Sequence, residues 1–298
     1  MTDQRLGDTS APPIAALVVA AMAFGVTFVV VKDTLDGIPP LALVAWRFLI
    51  GAAALLALSF PTRSDTWRDG FIAGVWLYLG YALQTAGLET TGATNSALVT
   101  GLYVVFTPLA VAVWDRKPPV PWIMVGAVMA FMGLVLLTVQ DGFTFGRGDV
   151  LTVGCAVGFA AHIAFLSRKA PAHRVVPFTG VQLLTTSILA FLSSFVLEGA
   201  SLPSPEVLPA LIGLGLGVSA AAYLLQVWAQ TRLSPSRTAV ILSLEPVFGL
   251  MFGAILLGER LDVKGWVGAA IIVAAIQVVL AKEPHEDVLA AEGVSAVT

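Results

Sequence analysis

Tyr81 and Gln84 stand three residues apart in the stretch YALQ, and Tyr223 and Gln226 repeat the pair in YLLQ, 142 residues further along the 298-residue chain. Residues at i and i+3 share one helix face. A phenol and an amide held side by side can hydrogen-bond the polar groups of a zwitterion, and the tyrosine ring can take an ammonium by cation–π contact. Tyrosine and glutamine also join transmembrane helices by hydrogen bonds. One such pair is therefore weak evidence of a site; two related pairs in oily surroundings are stronger.

Further polar side chains fall in register with them. Ser96, Thr100, Tyr103 and Thr107 have the spacing of one helix face, as do Ser219, Tyr223, Gln226 and Gln230. A weaker stripe runs through Thr152, Cys155, Phe159 and His162, and the second-half counterparts of the first stripe are Thr238, Leu242, Glu245 and Gly249. Unpartnered polar groups in hydrocarbon cost several kcal/mol, so these stripes are expected to face a wet cavity or one another. His162 is the one histidine inside an apolar run, and either lines such a cavity, carries a proton, or is satisfied by a neighbouring helix. Glu245 lies eight residues into its run, roughly 12 Å deep at 1.5 Å per residue. Arg47 enters its own run from the opposite side, so an ion pair between them is geometrically open, and either charge alone would be costly there. A helix kink with a folding ion pair is favoured slightly over substrate binding for these two. Pro108, Pro246 and Gly249 are candidate hinges.

The elements that must position these residues are apolar helices. The chain is 57% hydrophobic and 12% charged with a mean hydropathy of +0.89, far from a soluble domain. Ten apolar runs, at about 12–31, 40–60, 70–89, 93–114, 120–139, 149–167, 177–197, 208–229, 237–257 and 263–281, are each near the length of a membrane-crossing helix. The alternating period of a transmembrane β-barrel is absent. AMA at Ala21 to Ala23 looks like a signal-peptide cleavage site, but the apolar run continues to Val31 and the preceding segment is acidic, so a retained first helix is expected. With Cys155 as the single cysteine, no intramolecular disulfide or cysteine metal cluster can form.

If the N-terminus is cytoplasmic, eleven Lys and Arg residues fall in inside segments and four in outside loops, which the positive-inside rule favours. The offset of 142 also aligns Ala97 with Ala239, Leu102 with Leu244 and Gly126 with Gly268, drifting to about 135 earlier, where Ser59–Phe60 meets Ser194–Phe195. Five helices per copy is an odd number, so the second copy enters the membrane upside down. Such a repeat places a binding site near the midplane between the halves and allows alternating access. The expected organisation is a cytoplasmic tail at 1–11, a first five-helix repeat at 12–140, a loop at 141–148, a second repeat at 149–281 and a cytoplasmic tail at 282–298. In fold class this is an all-α integral membrane protein, two inverted five-helix repeats around a central cavity.

The stretches ATNSALVTGLYVVFTPLAV from Ala93, SPSRTAVILSLEPVFGLMFGAILLGERL from Ser234 and GIPPLALVAWRF from Gly37 resemble the EamA-type carriers of the drug/metabolite transporter superfamily, which include the YddG-like amino-acid exporters. The resemblance covers Pro12 to Lys282, with VWDRKPP in the first half departing from the LLGERL form at Leu256 to Leu261. It implies a carrier of the bacterial-type plasma membrane that moves amino acids or similar metabolites, usually outward.

The leading expectation is thus a secondary transporter exporting amino acids, neutral or aromatic ones included, by facilitated or exchange transport, with Tyr81, Gln84, Thr100, Tyr103, His162, Tyr223 and Gln226 lining its cavity. Proton-coupled multidrug or metabolite efflux is the alternative. A membrane-embedded enzyme ranks lower: there is no HExxH pair, no P-loop, and no set of carboxylates within the spans to hold a metal. No cofactor, metal or nucleic-acid partner is called for; the expected partners are a small-molecule substrate and the lipid bilayer. Oligomeric state leaves no compositional mark.

Overall fold

Prolines and serines punctuate the apolar runs, and helices begin where they stand. Pro40 opens one at its first position and Pro235 another, where the missing N–H would be unpaired in any case. Ser234 caps the second by accepting the Arg237 backbone N–H at 3.3 Å. The computed structural model describes residues 11–34, 37–88, 90–91, 93–138, 146–199, 202–257 and 263–282. All but Lys282 of the tail expected at 282–298, most of that at 1–11 and most of the 141–148 loop lie outside the described residues.

The helices are α1 (Ala11–Thr34), α2 (Pro40–Leu58), α3 (Ser64–Leu88), α4 (Ala93–Thr100), α5 (Tyr103–Asp115), α6 (Pro121–Thr138), α7 (Arg147–Lys169), α8 (Val175–Leu197), α9 (Leu208–Gly213), α10 (Tyr223–Gln230), α11 (Pro235–Leu242), α12 (Glu245–Leu257) and α13 (Val263–Lys282). Between α9 and α10 the rod continues through 214–222 wound as a π-helix. Every described element is helical, and six helical rods among the described residues are long and apolar enough to cross a membrane.

Two expected spans are not single helices. The stripe from Ser96 to Thr107 was placed on one continuous face, but the rod breaks at Gly101–Leu102, where Leu102, Val104 and Val105 donate three residues back instead of four. A Cβ on Gly101 would overlap Leu134 of α6, so the break lets α6 come in close. The ninth span breaks at Ser243–Leu244, just before Pro246, whose missing N–H leaves it at home in the first turn of α12. The helix interruptions stand at 101–102 and 243–244, while Pro108 lies inside a helix that runs on past it.

Helix bounds recur along the chain. Adding 142 to the limits of α4 and α5 gives the limits of α11 and α12, and the ends of α3 and α10 differ by the same number. Packing recurs too: α3 lies on α7 and α8, while the rod of 214–230 lies on α1, and its π-wound part on α2. The pairs α2–α8 and α6–α13 join corresponding elements and run antiparallel. On α6 and α13, Gly133 meets Gly268, and Gly126 meets Val279, so positions descend on one helix as they climb on the other. On α2 and α8, Ser187 donates to the Ala45 carbonyl at 2.8 Å. Further along that pair, Glu198 accepts the Leu41 and Ala42 N–H groups at 2.8 and 3.0 Å, capping the α2 N-terminus.

Candidate functional site

The helix faces that carry the repeated tyrosines converge at the centre of this arrangement. Tyr81 of α3 and Tyr223 of α10 are joined hydroxyl to hydroxyl at 3.0 Å, although 142 residues separate them. Arg47 of α2 donates to the Tyr81 hydroxyl at 3.0 Å. Its guanidinium lies 4.9 Å from the Phe48 ring centroid and 5.0 Å from that of Tyr81. Phe24 and Phe48 flank Tyr223, and Phe159 meets Tyr81 edge-on. These rings leave each polar group little freedom.

Around this centre the other expected residues divide. Gln84 donates to the Thr100 hydroxyl at 3.1 Å, and Cys155 lies 3.7 Å from the same oxygen. Tyr103 is buried at the head of α5, and the Thr107 hydroxyl turns back to the Tyr103 carbonyl. His162 is buried on α7, paired with the Gln182 side-chain oxygen at 2.9 Å, its ring 6.2 Å from that of Tyr223. Gln226 donates to Gln230, which in turn donates to the Ile163 carbonyl and the Ser167 hydroxyl. Thr152 and Thr238 bond back into their own helices, which satisfies them without a cavity.

The Arg47–Glu245 ion pair is not formed: among the described residues no carboxylate lies within 4.0 Å of the Arg47 guanidinium, which bonds Tyr81 instead. Glu245, first residue of α12, is partly buried, and its carbonyl stands against Gly25 of α1. The folding-pair reading of these two residues thus loses its contact. Gly249 sits against Gly25 of α1, which places it at a close helix crossing.

Phe24, Phe48 and Gln182 belong to the centre and were not singled out from sequence. Gln182 had a legible signal, an amide in the middle of an apolar run. The two phenylalanines had none, since a core phenylalanine and a site phenylalanine look alike in a helical pattern. At the α3 N-terminus, outside the apolar run, Asp69 accepts from His173 at 3.1 Å and Arg68 at 3.0 Å, with Lys169 at 3.6 Å. Burial works to raise the Asp69 carboxyl, but the Arg68 and His173 hydrogen bonds and the neighbouring positive charge outweigh it and hold it below its ordinary value.

Comparison with known proteins agrees with a membrane carrier. The chain matches the EamA-like transporter family twice, over residues 11–139 and 146–281. It is 33% identical over 279 residues to an uncharacterized transporter of Archaeoglobus fulgidus, covering 88% of this chain and 84% of that protein. It is 28% identical over 277 residues to the uncharacterized transporter YwfM of Bacillus subtilis, covering 89% and 92%. The threonine/homoserine exporter RhtA of Salmonella typhimurium is 28% identical over 264 residues, 84% of each chain. One crystal structure superimposes with a TM-score of 0.77 at 20% identity, covering 90% of this chain and 96% of the other, a likeness of fold.

Proposed function

The chain belongs to the EamA-like transporter family, a multi-pass membrane transporter and not an enzyme, and from that premise we propose that it exports amino acids by alternating access. The observation that carries this reading is the Tyr81–Tyr223 hydrogen bond. A residue bonded to its own counterpart lies on the axis relating the halves, which is where an inverted repeat builds its site. Ten spans, broken at the fourth and ninth, form the two repeats at 12–140 and 149–281, and both termini face the cytoplasm of a bacterial-type inner membrane. The antiparallel α2–α8 and α6–α13 pairs support the inversion.

Tyr81, Gln84, Thr100, Tyr103, His162, Tyr223 and Gln226 form the walls around this axis. Phenol, hydroxyl and amide groups suit a small polar solute, and the likeness to RhtA supports an amino acid among such solutes. The halves rock about the α2–α8 and α6–α13 contacts, and the transport is facilitated or exchange.

Counterflow in proteoliposomes tests this. Vesicles holding excess unlabelled threonine, methionine or phenylalanine, with no pH gradient, are expected to accumulate the labelled form transiently. A strict requirement for an imposed pH gradient would replace this reading with proton-coupled efflux. If no panel member accumulates above protein-free vesicles under either condition, the amino-acid assignment is wrong.

A further inference from the structure

Resting on that reading, we propose that Arg47 and Glu245 are the two ends of a zwitterion site, Arg47 taking the carboxylate and Glu245 the ammonium of an α-amino acid. Arg47 is only 4% exposed, yet among the described residues its guanidinium makes one hydrogen bond, to a neutral phenol. A guanidinium carries five N–H donors in a fork matched to a carboxylate, and the Arg47 Nε is buried with no acceptor. The phenyl and phenol faces beside it fix its plane without neutralising it. Among the described residues no carboxylate lies within 4.0 Å to neutralise it.

Glu245 has the complementary deficit. Its carboxylate has no hydrogen-bond or ion-pair partner among the described residues, and it stands at the break that begins α12. Its backbone packs against Gly25 of α1, next to the Phe24 ring that meets Tyr223, and no ion-pair contact within 4.0 Å joins it to Arg47. Two opposite charges at membrane depth, neither paired with a counter-charge within 4.0 Å among the described residues, are together the complement of a solute carrying both signs.

The repeat sharpens the argument. At the offset of 135 that relates α2 to α8, the counterpart of Arg47 is Gln182; at the offset of 142, that of Glu245 is Tyr103. Both counterparts are neutral. Each half therefore contributes one charge of opposite sign to an otherwise uncharged pair of walls, which gives the axis a direction and the substrate one orientation on it. The ring of Tyr223, bonded through its hydroxyl to the Tyr81 that Arg47 holds, is available to the ammonium as a second, weaker contact.

Blocking one end of the substrate at a time tests the proposal on the wild-type protein. In counterflow, threonine, methionine and phenylalanine are each compared with the amino-acid amide, which lacks the carboxylate, and the N-acetyl derivative, which lacks the ammonium. The free amino acid is expected to accumulate at least tenfold over either blocked form. Arg47→Gln is expected to bring the amino acid down to the level of its amide, Glu245→Gln to that of its N-acetyl derivative, and Arg47→Lys to fall between, keeping charge without the fork. Blocked forms carried within twofold of the free amino acid would overturn the proposal while leaving amino-acid transport standing. So would folded Arg47→Gln and Glu245→Gln proteins that lose all three forms equally. If Arg47→Gln does not fold, the wild-type preference decides alone. If wild type carries no amino acid, the amino-acid reading falls and this inference with it.

Discussion

Gln84 and Gln226 occupy equivalent places in the two halves, yet one is reachable and the other is not. Gln226 is 2% exposed and Gln230 beyond it 1%, both tied into α7 by a chain of amide bonds. Gln84 keeps partial exposure and among the described residues bonds the Thr100 hydroxyl alone, and α3 is partly uncovered from Tyr81 to Thr85. The same contrast recurs at the ends of these rods. Asp69 and His173 make a charged latch between the α3 N-terminus and the α7–α8 connector. Their counterparts in the other half, Leu211 and Ile38, make an apolar one with Val207. The scaffold is alike in both halves and the walls are not.

The largest effect is expected where the halves are alike. Gly133 and Gly268 each approach the other's carbonyl so closely that an added Cβ would fall 2.7 and 2.5 Å from it. Gly133→Val and Gly268→Val should both abolish monodisperse protein on size exclusion, since backbone cannot yield as a side-chain end can. Tolerance of either variant would show that the backbone at the α6–α13 crossing can yield after all.

An intermediate effect is expected at the glutamines. In a Cys155→Ser background, Gln84→Cys should react with a soluble maleimide at least tenfold faster than Gln226→Cys when both membrane faces are accessible. Equal rates would dissolve the contrast between the walls. Substrate that favours the opposite conformation should bring the two rates together.

The smallest effect concerns the latches. The Asp69 carboxyl titrates below its ordinary value when folded, so its stabilisation is present above the unfolded carboxylate pKa near ~4 and is lost as pH falls through the lower folded value. Asp69→Asn should therefore lower Tm at pH 7 by something on the order of 2–4 °C, and by less as the solution is acidified. Leu211→Ala, in the apolar latch, should lower Tm by an amount that does not change with pH. A constant Asp69→Asn gap across that range would remove the electrostatic account.

Much of this was legible in sequence, because hydropathy and repeat spacing are local properties of the chain. The YALQ and YLLQ pairs pointed to a shared centre, and their tyrosines meet there. Length and hydropathy, however, report only that a run can cross, not that it crosses unbroken, so the interruptions at Gly101 and Ser243 were invisible. The Arg47–Glu245 pair was argued from depth alone. Depth does not specify the angle around the bundle axis, and Arg47 turns to Tyr81 instead. Of the clustered glycines in the eighth span, Gly215 faces the α2 backbone, whereas Gly213 and Gly217 would meet nothing with an added Cβ. Close packing thus accounts for one of the three.

The π-wound stretch at 214–222 has no counterpart in α3, which is α-helical throughout. A π turn advances the chain through a smaller angle per residue than an α turn, so rewinding even part of it would twist everything beyond it about the rod's own axis. Tyr223, Gln226 and Gln230 begin immediately after it. The rod that carries Tyr223 thus has a change of winding just ahead of its polar face, and the rod that carries Tyr81 has none.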